Sequence, residues 1–371
     1  MNMKKLFAAL LAVVLMLGCL PFAASAANTP TELYVGEKDK SDDNLIDKYD
    51  TEGRVLVYAI DKKTQAYYTV TKEDGVGYVL TFYNDYTMSE MVTPSGALAC
   101  AVYCDGDLTI RLAGNITFDA NDAKKKNAIG WLVEGQLTIE KATKDENGND
   151  FTKPVDATLT VNGAKAKSSS DSGSIGICAD TLMLHNVVVY ACGGFAGVKA
   201  EEGVVMVDSS LYANTAEDMK EDDANLFKYG MQTNHFIQCR GAIEVAGDVD
   251  IQSYWFNGGS HKFDQTVVVY ARSYEFARDK YAGAWGDGFK LFKNPDQIPS
   301  FMRVSVGSSV AKISGNELTL NRRGDTTLYL TVQCGSYTLH MCKARIVTCS
   351  VLWWQWIPYI LSFAWIGAFT D

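Results

Sequence analysis

Three groups of residues in this chain are of types that can do chemistry. The first is Asp145-Glu-Asn147-Gly-Asn149-Asp150, which packs carboxylates and amides around Gly148 as calcium loops do. Asp145, Asn147, Asn149 and Asp150 are its candidate ligands, although no Glu follows to close an EF-hand, and a solvated turn explains the same residues. The second is an aromatic-rich stretch from Gln252 to Asp287, in which Tyr254, Trp255, Tyr274, Tyr281 and Trp285 are the candidate sugar-stacking rings. A pyranose lays its apolar face on such rings while polar neighbours orient its hydroxyls. Those rings could equally seal the end of a β domain. The third is the set of four histidines, His185, His235, His261 and His340, none of them in a metal-type spacing.

The elements that would position these residues are read from a recurring phrase. Ala101 to Ile110 reads AVYCDGDLTI, Gly130 to Ile139 reads GWLVEGQLTI, and Ala242 to Ile251 reads AIEVAGDVDI. Weaker copies start at Gly176 and Gly197. The starts at 101, 130, 176, 197 and 242 are 29, 46, 21 and 45 residues apart. Counting the two long gaps as two coils each gives a period of roughly 22 to 23, typical of a β-solenoid. Of the two skipped coils, one would be ATLTVNG from Ala157 and the other would fall between Asn214 and Tyr229. Each phrase alternates apolar and polar residues, passes a Gly or acidic corner, and alternates again, which predicts strand, tight turn, strand. Such units bury their apolar faces only by stacking, so the expectation is an all-β fold built on a right-handed parallel β-helix.

A polar residue after each second strand, Asn115, Asn186 and Ser210, suits a turn whose side chain bonds the backbone of the neighbouring coil. Eight cysteines remain after residue 26, without CxxC. Cys104 and Cys178 read as small core residues, and Cys334 and Cys342 could face one another across a hairpin.

Residues 1–26 read as a signal peptide: Lys4 and Lys5, an apolar run from Leu6 to Leu17, and Ala24-Ser25-Ala26 as the cleavage site. Residues 27–95 read as an N-terminal β segment and solenoid cap, and 96–290 as the β-helix. Residues 299–347 alternate in short runs with Gly turns, as a small β-sandwich does. Val351 to Phe369 is 19 residues without a charge, with Trp353, Trp354, Trp356 and Tyr359 near its start, and it predicts a C-terminal transmembrane anchor at 351–369. The net charge of −10 at pH 7 argues against nucleic acid.

The TELYVG opening at Thr31, the VLTFYN strand and the coils after it resemble large exported proteins of Gram-positive bacteria that carry a carbohydrate-binding-like or pectate-lyase-like β-helix. SSVAKISGNELTLNRRGDTTLYLTV resembles bacterial immunoglobulin-like domains of group 2, with Ser309 to Ala311, Gly324, Thr326, Thr327, Leu328 and Val332 at the matching positions. The resemblance implies a non-catalytic, membrane-anchored surface protein that binds carbohydrate or adheres to surfaces, its partner a polysaccharide or surface glycan. The alternative it implies is a calcium-dependent polysaccharide lyase or glycoside hydrolase, with Asp208, Asp248 and Asp250 as calcium ligands and Arg240 as base. No cofactor is expected under the first reading, calcium being the one ion that the sequence leaves possible; oligomeric state is left open.

Overall fold

The computed structural model describes residues 28–36, 43–58, 66–94, 99–120, 128–152, 155–164, 174–215, 229–246, 248–251, 254–256, 259–270 and 274–349. Their backbone winds in coils of up to three strands, and each coil pairs in parallel with the next. The first coil comprises Cys100–Cys104 and Leu108–Asp119, the second Ile129–Lys141 and Ala157–Asn162, and the third Ile175–His185 and Val188–Gly193. Ala196–Thr215 makes the whole fourth coil and Tyr229–Ala246 the fifth. A 20-residue strand is possible because it turns corners. Its beginning and middle pair with Ile175–His185, and its end pairs with Val188–Gly193. The same bending, together with the pairing of Leu108–Asp119 to Ile129–Lys141, closes a ring of six parallel strands. The fold is therefore all-β and β-helix-like, with three sheet faces per coil.

Alternation sends every second residue into the lumen. Ile110, Ile139, Leu184 and Met206 stack there in register, each fully buried. Wider cross-sections are filled by rings: Phe118 meets Trp131 edge-on at 5.1 Å and Phe82 at 5.5 Å. The N-terminal end is capped by antiparallel strands. Leu33–Val35 pairs with Cys100–Cys104, while Tyr67–Glu73 and Val55–Tyr58 extend the second face beyond Gly77–Tyr83. At the other end Gly259–Tyr270 runs antiparallel to the fifth coil. Closing both ends with antiparallel strands covers edges that would otherwise offer unpaired backbone groups.

Several expectations are corrected by these pairings. The phrase at Ala242 is out of phase with the others: Ala242 to Ala246 lies on the third face, opposite Ser210 to Asn214, and Asp248–Ile251 starts a further coil against Tyr229 to Thr233. The fifth coil starts at Tyr229. ATLTVNG is no separate coil but the third face of the coil that begins at Ile129. A gap of 46 residues there reflects loops inserted into one turn of the winding. Cys104 faces the lumen as expected, whereas Cys178 is aligned with Leu132 and packs on the outside. Cys334 pairs with Tyr337 and Cys342 with Leu330, so the two do not face one another.

The second unit has two sheets, one of four strands and one of three. Met302–Val306, Gly324–Cys334 and Tyr337–Cys349 form most of the larger, Gly288–Lys290, Ala311–Ser314 and Glu317–Leu320 the smaller. The larger sheet is completed by Lys280–Ala284, running parallel to Tyr337–Cys349, so this unit draws in residues expected to belong to the β-helix.

The expected transmembrane helix has no counterpart among the described residues. Among the described residues no helix is long and apolar enough to cross a membrane. The only α-helix among them, α1 (Leu45–Glu52), has eight residues and is closed by Asn44 at its start and by Gly53, at φ 71°, at its end. Residues 351–369, like the signal peptide at 1–26, lie outside the described residues.

Candidate functional site

The second face of the coils positions the site, because its outward residues change character partway along the winding. In one register column Thr109 and Thr138 are followed by Met183, Val205 and Ile237. In the next, Arg111, Glu140 and His185 are followed by Val207 and Cys239. Met183, Val205, Val207, Ile237 and Cys239 join one buried core with Phe301, Val332 and Cys334 of the second unit. The second unit therefore sits on the apolar half of the face and overhangs the polar half. Between them runs a groove of ≈ 430 Å³.

Two glycines permit this approach. A Cβ on Gly203 would lie 2.6 Å from Cε1 of Phe301, so the ring closes down only on a bare backbone. Gly335 has φ +55°, and a Cβ there would lie 2.5 Å from Oε2 of Glu140. That residue is the tip of the hairpin joining Gly324–Cys334 to Tyr337–Cys349. Beside it the Cys334 thiol donates to the Leu184 carbonyl at 3.4 Å, and Ser336 Oγ lies 3.4 Å from Nδ1 of His185.

The floor of the groove is Thr109, Gln136, Thr138 and Thr181, a set of hydroxyls and an amide repeated over three coils. Its wall is Ser300, Phe301, Arg303 and Gln333 of the second unit. At one end Arg111 donates to Glu140 at 2.8 Å and to Glu73 at 2.5 Å. Burial pushes the Glu140 carboxyl up, but His185, whose Nδ1 lies 3.9 Å from Oε2, and the Arg111 guanidinium more than offset it and hold it below the ordinary carboxylate range. At the rim lie the acidic corners: Asp107, Asp180 and Glu202. Asp107 accepts from the Asn28 and Gln136 N–H groups, and Glu202 from the Ser300 hydroxyl at 2.5 Å. Asp180 is raised, by partial burial first and then by Glu201, Glu202 and Asp107. A cavity of this size offering hydroxyls, amides, carboxylates, guanidinium groups and one ring has the mixture that binds small polar ligands.

The sequence-predicted residues fall elsewhere. Tyr274 and Tyr281 are buried, which corrects their assignment as sugar-stacking rings. Tyr274 bonds Nδ1 of His235 at 2.7 Å, and Tyr281 donates to the Leu291 carbonyl at 2.9 Å. Trp285, 73% exposed on a turn of the second unit, keeps a free ring. Tyr254 and Trp255 lie in the strand Tyr254–Phe256, and their side chains are outside the described residues.

Asp145, Asn147, Asn149 and Asp150 form a tight turn closed by its own backbone. Oδ1 of Asp145 accepts the N–H groups of Asn147 and Asn149, each at 2.9 Å, and Asp150 bridges back to Lys144. The Asn149 N–H is the main cause of the lowered Asp145 carboxyl. That oxygen already has two donors from the turn's own backbone. Among the described residues no group of three or more His, Cys, Asp or Glu is placed to hold a metal.

Asp208 and Arg240 are paired with each other, and the Arg240 guanidinium lies 5.4 Å from the Tyr337 ring centroid. The hydrogen bonds from Arg240 keep the Asp208 carboxyl low. Asn186, Asp208 and Arg240 share the left-handed corner of successive coils, at φ 56°, 51° and 57°. Asn115 and Ser210 belong instead to the column running through Thr158 and Val188, so the three polar turn residues do not form one ladder. The bond from one coil to the next is made by Ser209, whose Oγ accepts the Val187 N–H at 3.2 Å. Asp248 and Asp250 lie in Asp248–Ile251, with side chains outside the described residues.

The class defined so far is an all-β chain of stacked parallel coils carrying a polar groove under a second β unit. No protein-family model matches the chain, and no curated protein or solved structure matches it either.

Proposed function

We propose that this chain is an exported, non-catalytic protein that binds surface glycans or polysaccharide through the groove on its second face. In this reading the coils are a right-handed parallel β-helix of the carbohydrate-binding-like kind, and the second unit is a bacterial immunoglobulin-like module of group 2. The observation that carries it is the floor of Thr109, Gln136, Thr138 and Thr181 beneath the Phe301 wall. Hydroxyls and an amide repeated at strand spacing, about 4.8 Å, suit the repeating hydroxyls of a sugar chain. Trp285 offers a second, separate ring for stacking.

The test is a glycan array probed with the purified chain, with and without calcium, and with reducing-end release measured in the same wells. Binding without turnover that weakens in Thr181→Val supports the reading. Failure to bind any glycan refutes it.

A second reading, a glycoside hydrolase, is favoured by Asp180, whose raised carboxyl beside Glu202 and Asp107 resembles an acid paired with an ionised partner. Product release abolished by Asp180→Asn would establish it in place of the first.

A further inference from the structure

The groove has a charge pattern that narrows the sugars it would accept. Asp107 comes from the corner of the first coil, Asp180 from the third and Glu202 from the fourth, and all three line the groove. Neutral groups bond two of them: N–H groups for Asp107 and a hydroxyl for Glu202. Among the described residues none of the three forms an ion pair. Of the cations in the groove, Arg111 is already shared between Glu73 and Glu140, which leaves Arg303. Carboxylates set one or two strand spacings apart repel one another and would be relieved by positive charge brought in by a ligand. An anionic chain would meet that same rim with its charge opposed.

Resting on the reading of the groove as a glycan site, we propose that it selects glycans bearing free amino groups. The ammonium groups would lie along Asp180 and Glu202 while the ring hydroxyls meet the threonine floor. A neutral sugar would make only the second set of contacts, a polyamine only the first. The upward shift of the Asp180 carboxyl is caused first by burial, and the part added by Glu201, Glu202 and Asp107 is the same repulsion seen from the protein side.

The experiment is calorimetric titration of the full chain with four probes: a tetramer of glucosamine, one of N-acetylglucosamine, one of galacturonic acid, and spermine. The glucosamine tetramer should bind most tightly and weaken as salt is added. Asp180→Asn and Glu202→Gln should each weaken it roughly three- to fivefold, the scale of a partly exposed ion pair, and leave the N-acetylglucosamine tetramer unaffected. Glu244→Gln, which removes an exposed acid on the third face, controls for net charge and should change nothing. Unchanged melting temperatures show that the variants fold. Equal affinity for the glucosamine and N-acetylglucosamine tetramers overturns amine selection but leaves glycan binding standing. Spermine binding as tightly as the glucosamine tetramer overturns the sugar reading itself, and preference for the galacturonic acid tetramer overturns the charge argument.

Discussion

The close fit of Phe301 over Gly203 allows the docking of the second unit to be tested by a double-mutant cycle. In Gly203→Ala the new methyl would stand 2.6 Å from Cε1 and 2.8 Å from Cζ of a ring that is only 8% exposed. The ring has little room to yield, because His235 meets it edge-on at 6.4 Å and the buried core of the second unit lies behind it. Overpacking of this kind costs about 1–3 kcal/mol. Against this stands a gain of roughly 0.5–1 kcal/mol from replacing glycine in a strand. A net loss of about 1–2 kcal/mol follows. Phe301→Leu alone should cost about 1–2 kcal/mol through lost packing. With leucine at 301 the methyl at 203 finds space, so the double variant should be more stable than the sum of the singles by about 1 kcal/mol or more. Urea unfolding followed by tryptophan fluorescence measures all four corners of the cycle. Additive single effects would refute the claim that this contact sets the spacing of the two units.

Four further outcomes are expected. Glu140→Gln should destabilise by about 1–3 kcal/mol, since it leaves Arg111 with Glu73 alone in a partly buried site; thermal melts measure it. Because the Glu140 carboxyl is lower in the folded protein than in the unfolded chain, its contribution is present above the ordinary carboxylate range and lost as pH falls through the folded value. The melting temperature of the wild type should therefore fall more steeply in acid than that of Glu140→Gln. Asp180 has the opposite sign: its ionised form is disfavoured in the folded state, so Asp180→Asn should stabilise at neutral pH by about 0.5 kcal/mol or less, a gain that disappears in acid. At the left-handed corner of the third coil, Asn186→Val should cost about 1–2 kcal/mol and Asn186→Gly should be close to neutral, measured by chemical denaturation.

How far the sequence alone reveals this architecture depends on which physical signal each residue carries. Four of the five coils announce themselves because a small residue, two alternating runs and a Gly or acidic corner recur together at 101, 130, 176 and 197. The fifth, from Tyr229, has Thr233-Asn234-His235 at its corner and escapes that pattern. The run from Ala242 imitates the phrase because a third-face strand, a turn and the next first-face strand alternate in the same way. Spacing alone cannot separate one coil with long loops from two coils, so by spacing ATLTVNG counts as a coil of its own.

The docking face did leave a signal. In LMLH and GVVMV apolar residues run on where alternation would call for polar ones, and in FIQC the outward positions Ile237 and Cys239 are apolar, the mark of a strand covered on both sides. The groove left none, because Thr109, Gln136, Arg303 and Gln333 come from distant parts of the chain. Aromatic composition likewise does not tell a buried ring from an exposed one. Tyr274, Tyr281 and Trp285 stand within twelve residues of each other, and only the last is open to solvent.

The central claim is that the groove between the coils and the second unit is where the glycan binds, and blocking it is the most direct test. Gln136→Trp places an indole in the floor without removing any of the rim acids Asp107, Asp180 and Glu202. Titration of this variant with the glucosamine tetramer should show affinity reduced by about tenfold or more, with an unchanged melting temperature. Undiminished affinity in a folded Gln136→Trp protein would place the binding site elsewhere and contradict the account.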